Sequence, residues 1–357
     1  MAKIIGTSKA FPENFHTQDE VVELIKETWK DNPHFNEELV EKFYGSTKVN
    51  GRYLAMPLEK YSELKDFDDR NSTYIDVATE VGKDALEKLF ASTGVKASEI
   101  DQILFTTVTG IAVPSIDARL VNLLDFRTDV KRVPLFGLGC LAGAAGVARA
   151  QDYLAGHPAD AVVLLSIELC SLTFQTDDLS VPNLIGTALF GDGAAAVLMV
   201  GDEHPLAKKQ NRISAISNRS VFFHDSLNMM GWDVKSTGFK LILNGGVPEY
   251  AETKLCPAIM DFLKEHDLTI DDIEYFVCHP GGPKVIRAIE KGLDIGEGRL
   301  YQSREVLNNY GNCSSSSVLF ILDDTMKNNP PRPGSYGLML AMGPGFCGEV
   351  VLLKADV

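Results

Sequence analysis

The chain has 357 residues, of which 45% are hydrophobic and 23% charged, a composition that excludes disordered and fibrous proteins. This length exceeds what one hydrophobic core usually reaches, so two domains or one two-lobed unit are expected. The net charge of −15 disfavours nucleic acid and anionic membrane surfaces as partners, whereas an anionic small substrate needs only a local basic patch.

The termini and the cysteines bear on location and metal binding. Residues 1–6 contain no long apolar run, so no signal peptide is predicted, and no stretch approaches the length of a membrane span. The six cysteines are scattered without any C-x-x-C pair, which disfavours a zinc site. A chain of this size needs no disulfide scaffold, so the predicted location is the reducing cytoplasm.

In the first half of the chain, apolar periodicity predicts alternating strands and helices. The predicted strands are 3–7, 100–107, 133–138, 161–167 and 194–200. The predicted helices are 37–44, 72–90, 115–124, one after a capping box at Thr17 and one of small residues after Cys140. Residues 46–53 are predicted to form a polar turn. The almost wholly apolar strand at 161–167 indicates burial on both faces.

A polar stretch near residue 203 predicts a boundary between an N-terminal lobe, 1–203, and a C-terminal lobe, 204–357. The second half again alternates, with predicted strands at 212–219, 275–278, 336–342 and 347–354. Its predicted helices are 249–265, 283–291, 303–309 and 315–327. Two similar α/β lobes of this kind are compatible with five alternating αβαβα layers.

Cys140 lies where the strand ending near 138 meets the small-residue helix. The free N–H groups and dipole of a helix N-terminus favour a thiolate, which is the reactive form of cysteine. Gly139 allows the tight turn beside the sulfur. A nucleophile and a buried core cysteine are both compatible with this segment.

Two further polar residues follow strand or helix ends in the second half. His279 stands in a turn of Pro and Gly directly after an apolar strand, which fixes it at a rigid position. Asn312 precedes a serine run and an apolar helix, so its amide is either a helix cap or a donor to a carbonyl oxygen.

Cysteine, histidine and asparagine together suit chemistry on a thioester. Cys140 would accept an acyl group, and His279 would keep it ionised by ion pairing. His279 and Asn312 would both donate to a malonyl thioester oxygen as CO₂ leaves and an enolate forms. This chemistry needs neither a metal nor a redox cofactor.

Four segments of the chain resemble the type III polyketide synthases, the chalcone-synthase-like enzymes of the thiolase fold. The segments are Gly139-Cys140-x-Ala142-Gly143, Ala188 to Ala196, His279-Pro280-Gly281-Gly282-Pro283 and Tyr310-Gly311-Asn312-x-Ser314-Ser315. They occur in the order known for that family and lie between residues 139 and 315.

The resemblance implies a homodimer that loads an acyl-CoA starter on Cys140 and extends it with malonyl-CoA. It implies that Phe190 is a gatekeeper between the CoA tunnel and the cavity, and that Val113 reaches across the dimer interface. Other residues are implied to line the substrate site: Cys170, Leu172, Thr173, Ser314, Gly281 and Gly282.

The chain departs from plant members of the family at two places. Leu241 stands where many plant enzymes carry a second gatekeeper Phe, and the closing loop 341–346 differs as well. Cys170 resembles the bacterial branch, whose members make alkylpyrones, alkylresorcinols or small phenols. Because Leu stacks poorly on a flat ring, an aliphatic starter is expected.

Three cations are candidates for the phosphates of CoA: Lys48, Arg52 and Lys284. Each one alone is also compatible with an ordinary solvated charge.

Three alternatives stay open at this point. One is a ketosynthase-III-like enzyme that performs a single condensation on substrates bound to acyl carrier protein; the Gly281-Gly282-Pro283 and Gly343-Pro344-Gly345 motifs favour the polyketide synthase instead. The others are a Cys-His-Asn hydrolase, disfavoured by the context of Cys140, and an inactive partner subunit, disfavoured by the intact triad.

Overall fold

The computed structural model describes residues 1–208 and 213–356. The strands are β1 (Ala2–Ala10), β2 (Asn14–Thr17), β3 (Gly51–Leu54), β4 (Gln102–Thr107), β5 (Lys131–Phe136), β6 (Ala161–Leu169), β7 (Asp192–Gly201), β8 (Ile213–Phe222), β9 (Met230–Lys235), β10 (Gly238–Leu243), β11 (Ile273–Cys278), β12 (Tyr336–Gly343) and β13 (Cys347–Ala355). The α-helices are α1 (Gln18–Trp29), α2 (Glu37–Thr47), α3 (Phe67–Thr93), α4 (Ile116–Leu123), α5 (Ala142–Gly156), α6 (Val181–Leu189), α7 (Val247–Tyr250), α8 (Cys256–Lys264), α9 (Pro283–Leu293), α10 (Tyr301–Tyr310) and α11 (Ser314–Lys327). No helix among these described residues is long and apolar enough to cross a membrane.

Nine of the described strands form one sheet, in the order β11-β12-β13-β8-β1-β7-β6-β4-β5. Its two halves meet where β1 pairs with β8 over the short register Ala2–Ile4. On its other side β1 pairs with β7 along nearly its whole length. The first half therefore contains β1 and β4–β7, and the second contains β8 and β11–β13.

The side chains of successive strand residues show how helices cover the sheet. In β6, Val163 and Leu165 pack in one hydrophobic cluster with α3, whereas Val162 and Leu164 pack in a second cluster with α5 and α11. In β12, Met339 packs in that same second cluster, whereas Leu338 and Leu340 pack in a third cluster with α8 and α9. Helices α5 and α11 thus lie between the two half-sheets, and the order of layers is αβαβα. The predicted burial of both faces of 161–167 is confirmed.

Most predicted elements are observed with longer bounds, and the capping box at Thr17 is present, with the Thr17 side chain accepting from Glu20 N and the Glu20 side chain accepting from Thr17 N. The predicted polar turn at 46–53 is wrong, because those residues end α2 and then form β3. The hairpin of β9 and β10 and helix α6 were not predicted. The hairpin residues are mostly half-buried on both faces, so they lack the alternation that predicts a strand.

Candidate active site

Cys140 occupies the junction that the sequence predicts. Strand β5 ends at Phe136, a single helical turn spans Gly139–Leu141, and α5 begins at Ala142. Gly139 has φ of 58°, and a Cβ there would lie 2.4 Å from the Pro344 ring. Only glycine therefore fits beside the sulfur. The Sγ of Cys140 lies 3.5 Å from the Ser314 hydroxyl.

His279 and Asn312 are each held by backbone contacts from a neighbouring element. His279 follows β11; its N–H donates to the carbonyl of Leu340 at 2.9 Å, and its side chain is 2% exposed. Its Nδ1 has no hydrogen-bond partner among the residues that the structure describes. The amide oxygen of Asn312 accepts from the N–H of Ser314 at 2.9 Å. That bond occupies the oxygen and leaves the NH₂ group of Asn312 as the donor.

One cavity of about 340 Å³ brings these three residues together. This volume is within the usual range for small-molecule sites. It is also lined by other predicted substrate-site residues: Phe190, Leu241, Cys170, Ser314, Gly281, Gly282 and Lys284. The predicted clustering of Cys140, His279 and Asn312 with Phe190 is therefore observed in the fold.

Besides Lys48 and Arg52, three predicted substrate-site residues lie outside this cavity. Thr173 lines a smaller pocket of about 60 Å³ that shares Cys170 and Phe190 with the main cavity. The prediction for Leu172 is wrong, because its side chain packs in the hydrophobic cluster with α3 and lines neither space. Val113 is 93% exposed on the surface.

The predicted CoA-binding role of Arg52 is also wrong. Arg52 is 1% exposed, and its guanidinium donates to backbone carbonyls at the end of α6, so no phosphate in solvent can reach it. Lys48 ends α2 and has a left-handed backbone conformation. Its side chain is exposed and does not line the cavity. Of the three predicted cations only Lys284 lies at the cavity.

Two lining residues were missed from the sequence. Arg287 lies one turn after Lys284 on α9, and both are exposed at the cavity. Their i, i+3 spacing on a helix after the Gly-Gly-Pro turn was the available signal. Trp232 lies on β9 directly opposite Leu241 of β10, and its ring centroid is 6.2 Å from that of Phe190 in an edge-to-face arrangement. Only the hairpin pairing reveals this contact.

The charge distribution of the lining suits an anionic substrate. Among the described lining residues, Lys284 and Arg287 are the only lysine or arginine, and there is no aspartate or glutamate. The chain is strongly acidic as a whole, with a net charge of −15, yet its cavity presents positive charge.

Burial opposes a lone charge on either Cys140 or His279. It raises the pKa of the Cys140 thiol to about 11 and lowers the pKa of the His279 imidazole to about 3. A thiolate in this cavity would need a positive charge to offset its desolvation, and an imidazolium at His279, which lines the same cavity, would supply one. The helix N-terminus alone does not suffice.

Comparison with known proteins covers both halves of the chain. Residues 1–203 match the family described as "Chalcone and stilbene synthases, N-terminal domain", and residues 216–356 match its C-terminal domain. The 1,3,6,8-tetrahydroxynaphthalene synthase of Streptomyces peucetius subsp. caesius is 41% identical over 351 residues, which cover 98% of this chain and 92% of that protein. The phloroglucinol synthase of Pseudomonas fluorescens is 30% identical over 344 residues, 96% of each chain.

Solved structures agree with these relatives. The 1,3,6,8-tetrahydroxynaphthalene synthase of Streptomyces coelicolor A3(2), a bacterial type III polyketide synthase, has a TM-score of 0.92 to this chain, at 29% identity and with 99% of each chain covered. PKS-I from the brown alga Ectocarpus siliculosus has a TM-score of 0.91 at 23% identity, and covers 99% of this chain and 98% of that one, a likeness of fold.

Proposed function

Because this chain belongs to the chalcone and stilbene synthase family and is a type III polyketide synthase, we propose that its cavity builds a small polyketide phenol from malonyl-CoA. The observation that carries this proposal is the convergence of Cys140, His279 and Asn312 on one cavity whose only Lys or Arg charges, among the described residues, are Lys284 and Arg287. The thiolase-like fold and the family predicted from the four motifs are confirmed by the comparisons. The ketosynthase-III-like alternative is not favoured.

The first step is loading of the starter. The Cys140 sulfur attacks the thioester carbonyl of an acyl-CoA, and its proton passes to His279. The new bond joins sulfur to the acyl carbon, the bond to the CoA sulfur breaks, and the CoA thiolate takes the proton back from His279 as it leaves. His279 is suited to this role because its buried imidazole has a nitrogen, Nδ1, that has no hydrogen-bond partner among the described residues.

The second step is decarboxylation of malonyl-CoA. The bond between the methylene carbon and the carboxylate breaks, CO₂ leaves, and the electron pair moves towards the thioester oxygen. Donors from Asn312 and His279 stabilise the enolate oxygen as its charge grows. The amide of Asn312 is oriented for this in advance, because Ser314 N–H holds its oxygen. The enolate carbon then attacks the acyl group and releases Cys140.

The mouth of the cavity is suited to the phosphates of CoA. Lys284 and Arg287 lie in the first turns of α9, whose N-terminus follows the Gly281-Gly282 turn. Free N–H groups and the helix dipole add to the attraction of the two cations for a phosphate. We place the nucleotide end of CoA here and the thioester end beside Cys140.

The proposed product class rests on the side chains beside the gate residue Phe190 and on the products named for two relatives. Trp232 lies opposite Leu241 and contacts Phe190, so the gate has two aromatic side chains although position 241 has none. This removes the main argument for an aliphatic starter. The products named for the two curated relatives are phenols, and tetrahydroxynaphthalene bears no alkyl chain. We therefore favour an unsubstituted phenol over an alkylpyrone or alkylresorcinol.

We also propose that the protein is a homodimer through the β5 edge of the sheet. Among the described strands, β5 pairs with a neighbour on one side only, and Phe136 at its end is 54% exposed. Val113, Ile111 and Leu123 are exposed large apolar side chains in the loop and helix that follow β4. Exposed apolar side chains beside a sheet edge favour association with a second copy. Sedimentation of the wild type and of Phe136→Glu tests this; a wild-type monomer would contradict it.

One set of incubations tests the activity. The protein is given malonyl-CoA alone, malonyl-CoA with hexanoyl-CoA, or malonyl-CoA with 4-coumaroyl-CoA, and products are identified by mass. We expect a phenol from malonyl-CoA alone and none from Cys140→Ala, which keeps the fold because Ala fits the same turn. Products that require hexanoyl-CoA would restore the aliphatic interpretation, and condensation that persists in Cys140→Ala would refute the nucleophile.

A further inference from the structure

Arg52 is a buried cation whose hydrogen bonds converge on the end of helix α6. Its Nη1 donates to the carbonyls of Thr187 at 2.9 Å and of Phe190 at 2.8 Å. Its Nη2 donates to the carbonyl of Ala188 at 2.9 Å and to the side-chain oxygen of Gln18. Both amino groups are therefore fully used, and three of their four acceptors are carbonyls at the C-terminus of α6.

The same segment is joined to the segment that carries Asn312. Asn312 N–H donates to the Leu189 carbonyl at 2.7 Å, and the Asn312 carbonyl accepts from Gly191 N–H at 3.2 Å. The two segments approach so closely that a Cβ on Gly191 would lie 2.2 Å from the carbonyl oxygen of Tyr310. The backbone of Phe190 is thus bound by Arg52 on one side and paired with Asn312 on the other.

We propose that Arg52 is a positioning residue that holds the gate residue Phe190 and the oxyanion donor Asn312 in one rigid arrangement. This inference rests on the roles proposed above for those two residues. Arg52 does not line the main cavity; it acts through the backbone of residues 187–190 and their pairing with Asn312.

A guanidinium is suited to this position for two physical reasons. Carbonyls at a helix C-terminus lack partners within the helix and carry the negative end of its dipole, so a cation with several directed donors satisfies them. Among the described residues no carboxylate forms a salt bridge with Arg52, so these carbonyls are its main compensation for burial. Burial lowers the pKa of Arg52 to about 10, so it keeps its charge at neutral pH.

Arg52→Lys tests the inference because it keeps the charge but has fewer directed donors and no planar fork. Three quantities are measured: acylation of Cys140 by an acyl-CoA, by intact mass; formation of acetyl-CoA from malonyl-CoA; and KM for malonyl-CoA. We expect the kcat of decarboxylation to fall about 10- to 100-fold, since small misplacements of catalytic groups have effects of that size. Acylation and KM should change by less than about twofold.

Arg70→Lys is the matched control. Arg70 is also buried and also donates to two carbonyls, of Leu64 and Leu172, but among the described residues its hydrogen bonds do not reach residues 187–190. It should lower thermal stability like Arg52→Lys without changing the ratio of decarboxylation to acylation. Gln18→Ala is the substitute test if Arg52→Lys does not fold, because Gln18 is less buried than Arg52. The Gln18 side chain accepts a hydrogen bond from Arg52 and donates one to the Ala188 carbonyl, and both are lost in this variant. It should change the same ratio in the same direction.

A double variant locates the effect. In the Asn312→Ala background, Arg52→Lys should lower decarboxylation by less than about twofold more, because the donor that it positions is already absent. The inference would be overturned if Arg52→Lys caused its full loss of decarboxylation in the Asn312→Ala background as well. It would also be overturned if Arg52→Lys alone lowered acylation and decarboxylation equally, or raised KM with kcat unchanged. A wild type that neither acylates Cys140 nor decarboxylates malonyl-CoA would instead refute the proposed function.

Discussion

Replacing His279 by glutamine should change the pH dependence of alkylation at Cys140. Burial raises the pKa of the thiol to about 11 and lowers that of the imidazole to about 3, so each charge is stable only beside the other. We expect the proton in the wild type to pass from the Cys140 sulfur to His279, so that the thiolate exists at neutral pH. The His279→Gln variant would keep a polar side chain of similar size that accepts no proton, so Cys140 would lose its counter-ion.

The direction and the size of the expected change in alkylation rate follow from these pKa shifts. Iodoacetamide reacts with the thiolate, and a group with a raised pKa regains its thiolate only as pH rises towards that pKa. With a pKa of about 11, the thiolate fraction at pH 7.5 is about 3 in 10,000, since each pH unit is a factor of ten. Between pH 6 and pH 9 the rate in His279→Gln should rise about 10³-fold, whereas the wild-type rate should rise less than about threefold.

The assay resolves the modified cysteine by peptide mass and has an internal reference. Cys347 is also half-buried, and burial raises its pKa to about 11, so its alkylation should climb with pH in both proteins. If the alkylation rate of wild-type Cys140 rises with pH as steeply as that of Cys347, the resting enzyme contains no ion pair between Cys140 and His279. His279 would then act only as a base during attack, and the reasoning about mutual compensation would be wrong.

The remaining predictions concern the oxyanion donor, the mouth and the gate. Asn312→Ala should slow decarboxylation of malonyl-CoA about 10²–10³-fold while acylation of Cys140 changes less than about twofold; single-turnover kinetics that show equal losses would contradict the assigned roles. The double variant Lys284→Ala, Arg287→Ala should raise KM for CoA esters and weaken its salt dependence at unchanged kcat, and steady-state kinetics with an unchanged KM would place the CoA path elsewhere. Trp232→Ala should shift products towards longer chains, because it removes one wall of the gate; an unchanged mass profile would show that Trp232 sets no limit.

Local patterns in the sequence were enough to locate the main elements and the three proposed catalytic residues. Thr17 with Glu20 marked the start of α1, and the unbroken apolar run at 161–167 marked a strand with both faces covered. Cys140, His279 and Asn312 each stood out because a strand end or a helix start requires particular residues beside it. Such requirements act over a few residues, so they are visible in the chain itself.

Only the tertiary structure decided which side chains face the cavity. Lys48 and Arg52 are close in sequence and both were expected at the CoA path, yet Lys48 is exposed and does not line the cavity, whereas Arg52 is buried under α6. Trp232 and Leu241 became neighbours through the pairing of β9 with β10. A charge or an aromatic ring has no direction in a sequence; its direction is set by strand register and by contacts between residues more than a hundred positions apart, such as Arg52 with Phe190.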